Sequence, residues 1–65
     1  MKIDCYIALT IDERCDLYNK NKMTPSEGKL MHILGATQYR YVGSMVIRFY
    51  FETEEECLLC QLKFL

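Results

Sequence analysis

The chain reads as an α+β domain: a three-stranded antiparallel sheet with helices on one face, in the order β-α-α-β-β-α. Three observations predict it. Thr-x-x-Glu occurs at Thr10 to Glu13, at Thr24 to Glu27 and at Thr53 to Glu56. This is the capping-box pattern, in which the Thr hydroxyl accepts from the backbone N–H three residues on and the Glu carboxylate accepts from the Thr N–H. Residues 2–9 alternate, with Ile3, Cys5, Ile7 and Leu9 on one side and Lys2, Asp4, Tyr6 and Ala8 on the other, which is the period of a half-buried strand. Residues 37–52 are rich in β-branched and aromatic side chains around Val42, Gly43, Ser44 and Met45, the pattern of a hairpin.

Each element follows in turn. The first strand leads into Thr10, which caps a short helix whose Ile11, Cys15 and Tyr18 stand at i, i+4 and i+7, with Asp12 and Glu13 in its first turn, where the helix dipole favours acidic groups. The polar run from Asn19 to Lys22 ends it. Thr24 opens the second helix with Pro25 at its first position. Leu30, Met31, Ile33 and Leu34 form the apolar side, and Gly35 supplies a left-handed end. After the hairpin, Thr53 starts a third helix with Leu58, Leu62 and Leu65 along one side and Cys57, Cys60 and Phe64 beside it. Helices with one apolar stripe each and strands with one apolar face combine most simply as one covered sheet.

The 65 residues make one domain over 1–65, near the size at which a single core suffices, because such a domain buries only about 60% of its unfolded surface. Apolar residues are 51% and charged residues 26%, a balance that folds rather than stays disordered. Eight Lys and Arg against nine Asp and Glu give a net charge of −1. That leaves no global field for duplex DNA or an anionic membrane. No apolar run approaches the ~18 residues that span a bilayer, and Met1 to Asp4 lack the apolar segment of a signal peptide, so a cytoplasmic location is expected. The four Cys are then expected to be reduced.

The chemistry-bearing residues favour no enzyme. Cys57 and Cys60 are spaced like a redox pair, but Glu54, Glu55 and Glu56 precede them and disfavour a thiolate. Cys5, Cys15, His32, Cys57 and Cys60 could supply a zinc site only if the fold gathered them, and paired knuckle spacing is absent. His32 is the only histidine and has no serine motif beside it. The glutamates from Glu52 to Glu56 suit a helix start. Gly28, Gly35 and Gly43 are isolated, which leaves no phosphate-cradling loop. Lys20, Lys22 and Lys29 are a weak anion signal near the second helix. No catalytic residue, metal or other cofactor is predicted.

The hairpin register decides what the uncovered sheet face displays. A two-residue Gly43-Ser44 loop pairs Val42 with Met45, Tyr41 with Val46, Arg40 with Ile47 and Tyr39 with Arg48. With Met45, Ile47, Phe49 and Phe51 under the helices, the open face carries Tyr6, Tyr39, Tyr41, Val46, Arg48 and Tyr50. These six are the predicted partner-binding residues, because Tyr and Arg are the types enriched at interfaces and their hot spots. Arg40 then lies on the helix side, with its head at an edge. A three-residue loop instead turns Tyr39 and Tyr41 to the core and Gln38 and Arg40 outward, leaving Tyr6, Val46, Arg48 and Tyr50.

Two functional classes follow. One is a non-enzymatic protein-binding module; the apolar end Leu62, Phe64 and Leu65 suggests docking on another chain, so a homodimer is expected. The other uses the same tyrosines to stack a single-stranded nucleic acid or a signalling nucleotide, as sheet-based RNA readers do. In its shortness, its dense capping and its lack of a catalytic set, the chain resembles small accessory proteins of tailed bacteriophages. The stretch Ile47-Arg-Phe-Tyr-Phe-Glu-Thr-Glu-Glu-Glu-Cys-Leu-Leu59 is similar to strand-then-helix endings in that group. The resemblance implies a host-directed binder in the host cytoplasm, one that inhibits a host protein or defence system or sequesters a signalling nucleotide. It assigns no role to any single residue.

Overall fold

The computed structural model describes residues 5–65. The elements are β1 (Tyr6–Thr10), α1 (Ile11–Lys20), α2 (Glu27–Leu34), β2 (Gln38–Val42), β3 (Val46–Tyr50) and α3 (Glu54–Phe64), in the predicted β-α-α-β-β-α order. Lys2, Ile3 and Asp4 lie outside the described residues. The sheet order is β1-β3-β2, with β3 in the centre and antiparallel to both neighbours. Helices cover one face: Ile7, Leu9, Ile47 and Phe49 from the strands form one buried cluster with Leu17, Tyr18, Leu30, Leu34, Cys57 and Cys60 from the helices. Phe51, just past β3, completes its floor.

The helix starts are set by hydroxyl caps, though not all by the expected residue. Thr10 makes the full box: its Oγ1 accepts from the Glu13 N–H at 3.3 Å, and its own N–H donates to Glu13 Oε1 at 2.8 Å. Thr53 Oγ1 accepts from the Glu56 N–H at 3.2 Å, without the return bond from Glu56. The second start is corrected. Ser26, not Thr24, is the cap, accepting from the Lys29 N–H at 3.3 Å, and Pro25 precedes the cap instead of opening the helix. The reason lies in Glu27, whose carboxylate is drawn to Tyr41 and Arg14 and so cannot serve Thr24.

The first two helices end alike. The Ala36 N–H reaches the Met31 carbonyl and the Gly35 N–H that of His32, around Gly35 at φ +83°. The Met23 N–H reaches Tyr18 and the Lys22 N–H Asn19 in the same pattern, around Lys22 at φ +51°. Both are left-handed caps that satisfy the last carbonyls. Gly35 was expected there; Lys22 adopts the conformation with a side chain.

Two helix stripes differ from expectation. In α1 the buried residues are Arg14, Leu17 and Tyr18, while Ile11 is 41% exposed and Cys15 is exposed. In α3 the buried stripe is Cys57, Cys60 and partly Phe64, while Leu58, Leu62 and Leu65 face outward. On α2, Leu30 and Leu34 are buried but Ile33 is not.

The hairpin takes the three-residue alternative, and the two-residue register is corrected. Val42 pairs with Val46, Tyr41 with Ile47, Arg40 with Arg48 and Tyr39 with Phe49, so the loop is Gly43, Ser44 and Met45. Met45 is 60% exposed in that loop rather than packed under the helices. Tyr39 and Tyr41 therefore share the helix-side face with Phe49 and Ile47, and Arg40 moves to the open face. The two-residue register would have placed a guanidinium against the core, where an unpaired charge is strongly disfavoured. The observed register places Tyr39 against Phe49, with ring centroids 6.1 Å apart. Because β2 is an edge strand, Tyr39 and Tyr41 stay 41% and 50% exposed despite facing the helices.

Candidate functional site

The register makes the open face a grid of three rows. The first is Tyr6, Tyr50 and Gln38; the second Ala8, Arg48 and Arg40; the third Thr10, Val46 and Val42. None of the nine is buried, and no helix packs on them. Of the six residues expected here, Tyr6, Val46, Arg48 and Tyr50 share this face; Tyr39 and Tyr41 do not. Arg40, which the expected register hid, joins them.

The rows are locally organised. The Tyr6 and Tyr50 rings meet at 5.4 Å with a 50° tilt, the aromatic pair of a cross-strand contact. Arg48 lies with its guanidinium carbon 4.4 Å from the Tyr6 ring centroid, a cation–π distance. Its Nη1 also donates to the Tyr50 hydroxyl at 3.5 Å. That hydrogen bond holds the Tyr50 phenol below its ordinary range, with Arg40 pulling in the same direction. Arg40 and Arg48 stand directly opposite each other, and among the described residues neither pairs with a carboxylate. Both side chains therefore add positive charge to the same face, which favours an anionic group there.

A second polar cluster lies where β2 meets α1 and α2. The Tyr41 hydroxyl donates to Glu27 Oε2, and Arg14 Nη1 stands 3.9 Å from the same oxygen. Arg14 is only 7% exposed, its guanidinium carbon is 5.8 Å from the Tyr41 ring centroid, and its Nε has no hydrogen-bond partner among the described residues. The Tyr41 bond, then the helix-start N–H and the Arg14 charge, hold Glu27 below its ordinary carboxylate range. This cluster fastens an edge strand to two helices; its chemistry is structural. Sequence reasoning missed it because Arg14 and Glu27 each stand in positions where a solvated charge is the usual outcome.

The remaining chemistry-bearing residues do not converge. Burial pushes the Cys60 thiol up to about 11 and the Cys57 thiol up as well, which keeps both protonated and unreactive near neutral pH. Cys15 and His32 are exposed. Among the described residues no three His, Cys, Asp or Glu side chains stand close enough to share a metal ion. Lys20, Lys22 and Lys29 are all exposed. No helix of the described residues is long and apolar enough to cross a membrane. No protein-family model, curated protein or solved structure matches this chain.

Proposed function

We propose that the protein is a non-enzymatic binding module that takes an acidic protein segment on its open sheet face and acts by occupying that partner. The observation that carries this reading is the Arg40–Arg48 pair, unneutralised and in register, with Tyr6, Tyr50 and Val46 around it. Two guanidinium forks match carboxylates in geometry and charge. The flanking tyrosines and valines supply the apolar area that an interface needs at its centre. A host protein or defence component is the partner class that the phage resemblance implies.

The second reading, a single-stranded nucleic acid or signalling nucleotide, draws on the same arginine pair, which would accept a phosphate equally well. The rings weigh against it. Tyr6 already holds Arg48 over its face, and Tyr6 and Tyr50 are tilted into each other rather than laid flat as a platform for bases.

The test compares the native chain with Arg40→Ala/Arg48→Ala, both checked for folding by circular dichroism. Each is immobilised and offered a bacterial lysate and, separately, a labelled single-stranded oligonucleotide over a salt series. The expected result is a protein captured by the native chain and retained at least about tenfold less by the variant, in line with the loss of buried charge-assisted contacts. Equal capture by both removes the open face from consideration. Oligonucleotide binding that weakens steeply with salt, without protein capture, decides for the second reading.

A further inference from the structure

α3 turns Cys57, Cys60 and Phe64 onto the sheet and a larger apolar strip away from it. Leu58, Leu59 and Leu62 are 59%, 53% and 83% exposed. Leu58 and Leu59 precede Leu62 by four and three residues, so all three lie on one side of the helix. Ile33 of α2 is 39% exposed and lines the groove between α2 and α3 together with Leu59, Glu56 and Lys63, so charged groups border the strip on that side. Three exposed leucines on one side of a helix mark an interaction site more often than a scatter of single residues does.

We propose that this strip is a homodimer interface in which the α3 helices of two copies pack antiparallel about a two-fold axis. It is carried by α3, which packs through Cys57 and Cys60 on the covered side of the sheet; Leu58 reaches a groove shared with Tyr6 at the β1 edge, and the proposal does not rest on the partner-binding reading. Charge selects both the second copy and its direction. Glu54, Glu55 and Glu56 fill the first turn of α3, and Lys63 stands in its last. Parallel packing would bring two acidic turns together. Antiparallel packing sets each acidic turn against the other copy's Lys63 and places opposite ends of the two helix dipoles side by side.

The register is self-complementary. Glu56 and Lys63 are seven residues apart and therefore flank the leucines on the same side of the helix. When Leu58 of one copy faces Leu62 of the other, Glu56 comes beside Lys63 across the axis, and symmetry makes both contacts twice. Among the described residues the Glu56 carboxylate has no hydrogen-bond partner: its backbone N–H donates to Thr53, but its side chain does not return the bond as Glu13 does for Thr10. A contact of about three helical turns falls at the low end of specific interfaces, below about 1,200 Å² in total, which makes the dimer reversible and concentration-dependent.

Sedimentation equilibrium across a concentration series tests this, with circular dichroism to check folding. The native chain should pass from monomer to dimer mass. Leu62→Glu, at the most exposed leucine, should remain a folded monomer. Lys63→Glu should weaken the dimer by about tenfold, and the swap Glu56→Lys/Lys63→Glu should restore it to within about threefold. A native chain that stays monomeric into the millimolar range overturns the proposal, as does a Leu62→Glu variant that dimerises undiminished or a swap that fails to restore. A monomer that instead binds phosphatidylcholine vesicles through the same leucines overturns it in favour of a lipid surface.

Discussion

Phe49 and Tyr50 are adjacent on β3 and meet opposite surroundings. Phe49 is fully buried, between Ile7 on one neighbouring strand and Tyr39 on the other and beneath the helices. Tyr50 lies between Tyr6 and Gln38 on the face that no helix covers, with its hydroxyl held by Arg48. The same five-residue strand therefore carries the centre of the core on one side and the densest polar and aromatic constellation on the other. Side chains alternate across a strand, so a single register decides both. The result is a division of labour: the covered face holds the core, and the open face carries surface contacts, the Tyr6–Tyr50 pair and the Arg48 contacts to both tyrosines, beside a second arginine in register. The edge strand β2 belongs fully to neither, since all five of its residues are exposed, including the two tyrosines that point toward the helices.

Truncating the two neighbouring residues separately should give the largest difference between the faces. Phe49→Ala removes a fully buried ring and should cost about 3–5 kcal/mol. That is comparable with the whole stability of a domain of this size, so the variant should be largely unfolded by circular dichroism at room temperature. Tyr50→Ala should melt within a few degrees of the native chain. If both variants unfold, the open face is part of the core and the division fails.

A smaller effect tests what sets the register. Gly43 opens the three-residue loop at φ +76°, and a Cβ there meets nothing within 4 Å. Gly43→Ala therefore reads out backbone conformation alone, with an expected loss of about 1 kcal/mol, or roughly 4–8 °C in Tm. A change near zero would mean that the loop readily adopts another conformation, and with it another division of β2 between the faces.

The element order was legible because its signals are local. Alternation from Cys5 to Leu9, the Thr10 and Thr53 caps and the Gly35 end each depend on a few consecutive residues. What was not legible depended on residues distant in sequence. Ser26 displaces Thr24 because Glu27 is claimed by Tyr41, fourteen residues later. Arg14 is buried only because Glu27 and Tyr41 come to it from other elements, so helical spacing alone favoured Ile11 and Cys15. The α3 stripe was ambiguous for another reason: leucines and cysteines alternate around the helix, so its spacing alone does not say which of them face the core, and the structure buries Cys57 and Cys60. Of the open face, Tyr6 followed from strand alternation and Val46, Arg48 and Tyr50 from their place on β3, whereas Tyr39, Tyr41 and Arg40 hung on one residue of loop length.

The smallest effect concerns the clip that holds β2 to the helices. Glu27 sits below its ordinary value of 4.5, chiefly through the Tyr41 hydrogen bond, then its place at the helix start and the Arg14 charge. A carboxyl whose pKa is lower when folded contributes stability that is fully present above its unfolded value and is lost as pH falls through the folded one. Lowering the pH from about 6 to about 3 should therefore reduce the Tm of the native chain more than that of Glu27→Gln, which cannot titrate there. The gap should be small, because the Glu27 side chain is 35% exposed and water screens it. Tyr41→Phe should narrow the gap further than Arg14→Met does, since the hydrogen bond outweighs the charge. Parallel pH profiles for the native chain and Glu27→Gln would show that the clip contributes nothing and that β2 is held by its ladder with β3, which would align the edge strand with the open face rather than the covered one.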